Sequence, residues 1–502
     1  MSHQPLKIVI LGGGTSGWMA ASLFANKWLG KNGLTHAINI TLVESPDVSI
    51  VGVGEGSTPT LKRFFQILNV PESDWMPRCN ATYKLNVRFD GWSPKSGINS
   101  YSHPFTSQVD TFTSRAFFIN SRTRCLGLDT HTQPEDFILN GVLAKQGKGP
   151  LTPDNFPFQM EYGYHFDSHL LGKFLTELAT SMGVKHISEH VVGVERKANG
   201  DIANIKTKSG KTIKGDFFVD CSGFAALLMK KTLGVKFHSY KENLFNDSAL
   251  VIPSPISEKI PVETVSTALS AGWCWQIPLR NRFGNGYVYS SDFINADSAE
   301  TELRAHLNCL DSDQEARHLK MKVGRLESQW SHNCIGLGLS QGFIEPLEAT
   351  ALHLVQICIE MFIERFEEGN FTDKYKDKYN NEVGLRFEHV RDYIVAHYKL
   401  NTRDDSDYWR ANRDNNHLSN SLSQLLTTWY KRDDLTKEID RQRIGIHFNS
   451  MSWHCLLSGY GAFPPLADNQ PGTGDLYQEQ SIQQFLQGCA LNFSSHSNNL
   501  NN

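Results

Sequence analysis

The chain has 502 residues, which is enough for a large hydrophobic core and for two or three structural units. Its 49 Lys and Arg residues nearly balance 53 Asp and Glu residues, so the charge gives no reason to expect nucleic acid or an anionic membrane as a partner. Nine Cys residues without a C-x-x-C pair indicate free thiols in a reducing compartment, with no disulfide framework and no metal site. The N-terminus lacks the layout of a signal peptide, and no apolar run is long enough to span a bilayer, so we expect a cytoplasmic enzyme.

A strand, a glycine turn and a helix open the chain. The β-branched run 7–11 predicts a buried parallel strand, and helical character begins at Trp18. Between them lies a G-x-G-x-x-G turn, which is typical of a dinucleotide site because its glycines let the backbone approach a pyrophosphate at a helix N-terminus. A second strand, 38–43, ends at Glu44, whose carboxylate would accept hydrogen bonds from a ribose. The predicted contacts in the turn are Gly12, Gly14, Thr15, Ser16 and Gly17.

The remaining chain predicts a mixture of strands, loops and helices. Residues 90–160 show no clear period and suggest long loops that can build a pocket, and residues 247–292 are β-rich. The tail 491–502 is polar and low in complexity, so we expect it to be disordered. Further strands are predicted at 185–195, 202–208 and 211–219, and helices at 168–183, 340–368, 372–400 and 419–440.

The segment 273–278 reads W-x-W-x-I-P. Trp273 and Trp275 lie on the same side of an extended strand, which Pro278 ends. Taken alone, the pair could equally be two core tryptophans. Downstream of the glycine turn, however, the pattern resembles the flavin-dependent halogenases, the family that includes the tryptophan halogenases. The resemblance covers about residues 7–462.

The resemblance implies an α/β fold, with a Rossmann-like FAD-binding box of the flavin monooxygenase type and a mainly helical substrate-binding module. It assigns residues 1–90 and 160–350 to the FAD module, and residues 91–159 and 351–490 to the substrate module. The loop 52–59, G-V-G-E-G-S-T-P, is similar to the loop that straps the flavin in this family. Outside the glycine turn, the implied FAD contacts are Glu44, Gly54, Val192, Asp220, Leu337 and Phe343.

Two residues would carry the chemistry. By composition alone Lys84 is a surface lysine, but its Y-K segment is similar to the one that carries the family's catalytic lysine. Its ammonium would hydrogen-bond hypohalous acid, or its neutral amine would form a haloamine; the residues leave both open. Glu348, in F-I-E-P-L-E-A-T, is either a helix-start carboxylate or the partner of Lys84. Thr350 and Ala351 match the family's halide-binding positions, although many relatives have Ser and Gly where this chain has Ala349 and Ala351.

The resemblance also assigns a barrier and a substrate wall. Trp273 and Trp275 would keep the substrate away from the flavin, so that halide rather than substrate attacks a flavin hydroperoxide. The chain lacks the F-W-x-N-x-N-Y-Y-like stretch of the tryptophan-specific members and an upstream Glu. We therefore expect indole or a similar aromatic rather than free tryptophan, with a carrier-bound substrate as the alternative. The predicted substrate residues are His103, Phe105, Phe448 and Trp453.

The expected activity is electrophilic chlorination or bromination of an electron-rich aromatic, using FADH2, O2 and chloride or bromide. Because the chain has a single dinucleotide fingerprint, we expect reduced flavin to come from a separate flavin reductase. A homodimer is a further expectation. Two alternatives are an aromatic monooxygenase of the same fold and a flavin-binding protein without catalysis, such as a redox sensor. Lys84, Glu348 and the tryptophan pair argue against both.

Overall fold

The computed structural model describes residues 4–29, 37–47, 54–469 and 479–501. Two residues of the predicted strap loop, Gly52 and Val53, lie outside these ranges. No helix within the described ranges is long and apolar enough to cross a membrane.

The strands are short, and most of them are buried on at least one face. In chain order they are β1 Leu6–Leu11, β2 Ile38–Glu44, β3 Gly54–Gly56, β4 Thr82–Lys84, β5 Asn86–Ser93, β6 Ile98–Pro104, β7 Gly163–Asp167, β8 Lys185–Ser188, β9 Val191–Arg196, β10 Ile202–Thr207, β11 Thr212–Lys214, β12 Phe217–Asp220, β13 Phe237–Ser239, β14 Ser248–Ser254, β15 Glu263–Leu269, β16 Gly272–Pro278, β17 Phe283–Tyr289, β18 Arg317–Lys320, β19 Gly324–Leu326, β20 Trp330–Ser331, β21 Cys334–Gly336 and β22 Gly342–Phe343.

The helices dominate the last third of the chain. They are α1 Thr15–Trp28, α2 Thr60–Ile67, α3 Glu72–Trp75, α4 Ser114–Cys125, α5 Leu139–Lys145, α6 Ser168–Ser181, α7 Ala296–His306, α8 Thr350–Glu368, α9 Lys376–Lys399, α10 Asp407–Asp414, α11 Asn420–Tyr430, α12 Leu435–Gln442, α13 Ser450–Gly459, α14 Glu479–Ala490 and α15 His496–Asn501. A π-helix, Leu227–Thr232, follows β12.

A six-stranded sheet in the order β20-β21-β12-β1-β2-β8 forms the nucleotide-binding half of the fold. Strands β21, β12, β1, β2 and β8 run parallel, and β1 lies between β2 and β12. Its strands are apolar because helices cover parallel sheets on both faces. The glycine turn therefore leaves the carboxyl end of a central strand, where α/β sheets bind their ligands. This arrangement confirms the predicted Rossmann-like box.

A seven-stranded sheet, β18-β14-β17-β16-β15-β5-β6, lies beside it and is antiparallel except where β5 runs parallel to β15. Its central strand β16 carries the W-x-W-x-I-P segment. A small sheet in the order β3-β7-β4 joins the strap segment, through β3, to the Lys84 strand, β4.

Several sequence predictions need correction. The predicted domain boundary at residue 90 falls inside β5, and β6 belongs to the seven-stranded sheet rather than to a helical module. Residues 90–160 also contain α4 and α5. Helix α8 begins at Thr350, not at 340, because the preceding residues form a 3-10 turn, β22 and the E-P-L-E loop. The predicted helix 419–440 is two helices, α11 and α12.

The expected disordered tail is also wrong. Helix α15 buries His496, Asn499 and Leu500, and Lys148 forms a β-bridge with Ser495. Polar composition suggested disorder, but His496 and Asn499 are hydrogen-bonded to backbone groups of the domain. Polar residues that are satisfied in this way can be buried.

Candidate active site

The glycine turn has the shape of a pyrophosphate cradle. A Cβ at Gly12, whose φ is +114°, would lie 2.1 Å from the Cys221 carbonyl oxygen, and one at Gly17 would lie 2.0 Å from the Gly12 carbonyl oxygen. Both positions therefore require glycine. A Cβ at Gly14, by contrast, would meet no atom of the described residues within 4 Å, so among these residues this face of the turn is open to a ligand. Thr15 and Ser16 begin α1, whose first N–H groups favour phosphate. The residues fit FAD.

Glu44 faces this turn from the end of β2. A Cβ on Gly13 would lie 1.6 Å from Glu44 Oε2, and the other oxygen lies 2.7 Å from His186 Nε2. The Glu44 carbonyl accepts from the Glu189 amide at 2.8 Å, which brings the segment before Val192 close to the site. Val192 is exposed on β9 and stays a predicted contact.

Asp220 holds the loop that follows β12, and its contact with FAD stays a prediction. This buried carboxylate accepts hydrogen bonds from Ser222, through both its amide and its hydroxyl, and from the Leu228 and Met229 amides. The side chain therefore shapes the loop after β12 and caps the π-helix. Its carbonyl accepts from the amide of buried Leu337. Phe343 lies on β22, 5.6 Å from the ring of Phe224.

The strap strand β3 and the Lys84 strand β4 lie on either side of β7 in the small sheet. Gly54 packs against Gly284 of β17, and a Cβ on Gly54 would lie 3.4 Å from the Gly284 Cα. A Cβ on Gly56 would lie 3.2 Å from Lys84 Nζ. The predicted flavin strap and the predicted catalytic lysine therefore meet at Gly56.

The Lys84 amine is buried inside the protein. Its side chain is 0% exposed, so the surface position suggested by composition is wrong. Nζ has no hydrogen-bond partner among the described residues and lies 5.6 Å from the centre of the Phe105 ring. Burial lowers the pKa of Lys84 to about 7, and the charge of Glu348 only partly opposes this shift. A buried amine without a partner is suited to receive a ligand's oxygen or halogen.

Glu348 is held as a carboxylate. His103 Nδ1 donates to both of its oxygens, at 3.0 and 3.1 Å, and His397 Nε2 donates to Oε1 at 3.1 Å. Burial alone would raise the pKa of Glu348, but the two imidazoles lower it to about 2. His397 in turn contacts the Tyr460 hydroxyl at 3.0 Å. The sequence did not identify His397 as a partner, because that contact depends on how α9 packs against the E-P-L-E loop.

The two tryptophans differ in their environment. Trp273 is 2% exposed, and its indole N–H donates to Glu345 at 2.9 Å. Glu345 also accepts from Asn246 and Tyr398, which fixes the ring. Trp275 lies over Gly286 of β17, where a Cβ would come within 2.1 Å of its ring, and its buried N–H has no partner in the described chain. Glu345 was not predicted, although it lies in the same segment as Glu348.

The predicted halide position is the start of α8. Ala349 has a φ of +55°, and the Thr350 hydroxyl is buried without a partner among the described residues. Free N–H groups in the first helical turn favour an anion, and Ala351 belongs to that turn.

The predicted substrate residues lie in two groups. His103 and Phe105 lie beside Glu348 and Lys84, respectively. Phe448 stacks on Tyr393 at a centroid distance of 3.5 Å, and Trp453 meets Tyr393 edge-on at 4.9 Å. Tyr393 lies 6.2 Å from the His103 ring, so this ring, which the sequence did not single out, connects the two groups.

Comparison with known proteins places this geometry in a family. A sequence model described as tryptophan halogenase matches residues 7–472. The chain belongs to this halogenase family. It is 35% identical to 7-chloro-L-tryptophan 6-halogenase KtzR of Kutzneria sp., over 91% of this chain and 90% of KtzR. The solved structure of tryptophan 6-halogenase SttH of Streptomyces toxytricini matches with a TM-score of 0.82 at 30% identity, over 99% of both chains. Xcc4156, a flavin-dependent halogenase of Xanthomonas campestris, matches with a TM-score of 0.81 at 29% identity, over 99% of this chain and 98% of Xcc4156.

Family membership confirms the predicted reaction class. The halogenase is an FADH2-dependent oxidoreductase that carries out electrophilic aromatic halogenation with O2 and a halide. A separate flavin reductase and a small aromatic substrate follow from the same membership.

Proposed function

We propose that this halogenase acts on an indole-bearing aromatic and that Lys84 and Glu348 carry the transfer of halogen. The observation that supports this most is the buried Lys84 amine, which has no hydrogen-bond partner among the described residues and lies between Gly56 of the strap and the Phe105 ring. Bound reduced FAD would supply hypohalous acid from O2 and halide. Thr350 and the first turn of α8, with Ala351, would hold the halide.

The proposed role of Lys84 is to hold the halogen donor and polarise it. With a pKa of about 7, the side chain is divided between ammonium and amine at neutral pH. The ammonium would hydrogen-bond the oxygen of hypohalous acid. The neutral amine would instead attack its halogen, so that an N–halogen bond forms while the halogen–oxygen bond breaks and the hydroxide leaves as water with the amine proton. Either form can receive the donor without breaking a hydrogen bond within the protein.

The low pKa of Glu348 argues against this carboxylate as the base that takes the ring proton after the halogen has been transferred. A carboxylate with a pKa of about 2 is a weak base at neutral pH, because efficient general bases have pKa values near the working pH. We therefore assign Glu348 to orienting Lys84 and to stabilising the positive charge that develops on the attacked ring. A preorganised charge in a buried site is well suited to this task.

The substrate would lie between His103, Phe105 and the Tyr393–Phe448 stack. Relatives are tryptophan halogenases by name, which supports an indole ring in this pocket. The missing F-W-x-N-x-N-Y-Y-like stretch favours indole over the charged amino acid. The barrier role of Trp273 and Trp275, a homodimer and a cytoplasmic location stay predictions.

The test is mass spectrometry of reactions that contain the protein, a flavin reductase, NADH, FAD and either chloride or bromide. Indole and tryptophan are offered in parallel. We expect a halogen isotope pattern on indole that is lost in Lys84→Ala and kept in Lys145→Ala, a lysine whose side chain is 52% exposed. Halogenation confined to tryptophan would contradict the substrate assignment. A hydroxylated product, or halogenation by Lys84→Ala, would contradict the proposed mechanism.

A further inference from the structure

The C-terminal segment reaches the strand that carries Lys84. His496, the first residue of α15, is 2% exposed and lies between the backbones of Tyr83 and Ile260. The Tyr83 amide donates to His496 Nε2 at 3.3 Å, and His496 Nδ1 lies 2.8 Å from the Ile260 carbonyl oxygen.

The imidazole occupies the place of a missing β-ladder rung. Strand β5 runs parallel to β15, with Asn86 opposite Glu263, and one step earlier the Leu85 amide donates to the Val262 carbonyl at 2.7 Å. Two residues earlier on both strands, the next rung would join the Tyr83 amide to the Ile260 carbonyl. His496 lies between these two groups and bonds to each of them.

The two backbone partners fix the state of the ring. An amide can only donate and a carbonyl can only accept, so Nε2 is the acceptor and Nδ1 carries the proton. A protonated ring would lose the bond from Tyr83. Burial lowers the pKa of His496 to about 4, which keeps the ring neutral at physiological pH.

Strand β4 depends on this rung. Its other edge pairs with β7, where Tyr83 lies opposite Tyr164 and Lys84 lies opposite Gly163. Without the imidazole, the edge toward Ile260 would leave a buried amide without a partner, which costs more free energy than an ordinary hydrogen bond is worth. The residue after that amide is Lys84.

We infer that His496 is a positioning residue for Lys84: it replaces one β-ladder rung and so makes the C-terminal segment part of the halogenation site. This inference rests on the function proposed above for Lys84. The rung itself is a property of the backbone and can be tested independently of the chemistry.

A second residue of α15 provides a matched control. Asn499 anchors the same helix by accepting from the Leu151 amide at 3.0 Å and is 5% exposed. Its described bonds do not involve β4. Asn499→Ala weakens the docking of the tail, whereas His496→Leu also removes the rung. His496→Gln keeps one donor and one acceptor at the end of the side chain.

The first readout is deuterium exchange of peptides that cover residues 81–86, measured by mass spectrometry on the full chain. We expect His496→Leu to exchange about tenfold faster there, since a lost buried hydrogen bond is worth about 1.4 kcal/mol. His496→Gln should restore part of the protection, and Asn499→Ala should leave it near the wild-type value. Unchanged exchange of residues 81–86 in His496→Leu would show that the imidazole does not replace a ladder hydrogen bond. An equal loss of protection in Asn499→Ala would show the same.

The second readout is halogenated indole per NADH consumed, together with the KM for indole. We expect a lower yield in His496→Leu at an unchanged KM, with partial recovery in His496→Gln. Faster exchange with an unchanged yield would overturn the positioning role while leaving the rung intact. If the wild-type protein made no halogenated product, the proposed function would be wrong. The exchange experiment would still show whether His496 replaces the hydrogen bond between Tyr83 and Ile260.

Discussion

At the scale of single residues, burial of Lys84 prepares its amine for a ligand but lowers the free energy of unfolding. Its amine is fully buried and has no partner in the described part of the chain. Burying an unpaired cation is unfavourable, and groups of this kind are found at functional sites, where stability is exchanged for reactivity. The site therefore pays in free energy of unfolding for a lysine that is ready to bind a ligand.

We predict that Lys84→Met stabilises the flavin-free protein. Methionine fills a similar volume without a charge, so the free energy of unfolding at pH 7 should rise by about 2 to 4 kcal/mol. The folded pKa, about 7, lies below the unfolded value of 10.5, so between these values the unfolded state holds a proton that the native state lacks. Wild-type stability thus rises with pH in this window, and the advantage of the variant should shrink by about 2 to 3 kcal/mol at pH 9.

Urea denaturation of both proteins at pH 7 and pH 9 measures this difference. Lys145→Met, at an exposed lysine, serves as the control and should change little at either pH. A Lys84→Met variant that is less stable than wild type at pH 7, or an advantage that does not depend on pH, would show that the amine is not buried as a cation.

At the scale of elements, β16 and β17 together place the proposed barrier. Trp275 of β16 can lie flat only because β17 has Gly286 opposite it, where a Cβ would come within 2.1 Å of the ring. Trp273 is fixed differently, by its bond to Glu345. The orientation of Trp275 therefore depends on Gly286 of β17 as well as on its own strand.

We predict that Gly286→Ala displaces the Trp275 ring and lowers the yield of halogenated product per FADH2 consumed. The methyl group forces the ring off the strand, which should also cost about 1 to 3 kcal/mol of unfolding free energy by overpacking. Substrate KM should change little, because the proposed barrier does not bind the aromatic. Gly193→Ala on β9 is the control, since its Cβ would meet Lys206 at an ordinary 3.8 Å. An unchanged yield in Gly286→Ala would count against the barrier.

The same contrast shows how far the sequence could predict the structure. Local patterns were sufficient for the glycine turn, for β1 and α1 and for the strand of Trp273, because each depends on neighbouring residues. The partners of Glu348 and Trp273 could not be predicted, since His397 and Glu345 meet them through packing between distant elements. His496 was missed for a further reason: its polar surroundings in the tail resemble those of a disordered segment, and only the gap between Tyr83 and Ile260 gives it a place.

At the scale of the whole molecule, buried histidines make the free energy of unfolding depend on pH. Burial lowers the pKa to about 4 for His353, His454 and His496, and to about 2 for His447. Arg386 donates to His447 Nε2, so the His447 ring is neutral and carries its proton on Nδ1, which donates to His353 Nε2 at 2.7 Å. Among the histidines of the described residues, these four therefore exclude protons that the unfolded chain accepts below pH 6.5.

We predict that these histidines destabilise the fold on mild acidification, against the opposing protonation of Glu55 and Asp110, whose pKa values burial raises to about 7 and about 6. Because the unfolded state binds more protons, the free energy of unfolding falls with pH below 6.5, by about 1.4 kcal/mol per pH unit for each such histidine. Four histidines amount to about 4 to 5 kcal/mol between pH 7 and pH 5.5, a large part of the stability of a typical protein. Glu348 acts in the same direction only below pH 4.5, since its folded pKa is about 2.

His454 allows this prediction to be tested away from the proposed chemistry. Its ring is 7% exposed and donates to the Ser450 carbonyl at 2.8 Å. In urea denaturation at pH 7, 6 and 5.5, His454→Gln should lose about 1 kcal/mol less than wild type over this range. His417→Gln, at a histidine that is exposed in the folded protein, is the control for the substitution itself. Equal slopes for wild type and His454→Gln would mean that His454 takes up its proton in the native state. The acid sensitivity would then have to come from other buried histidines, such as His353, His447 and His165.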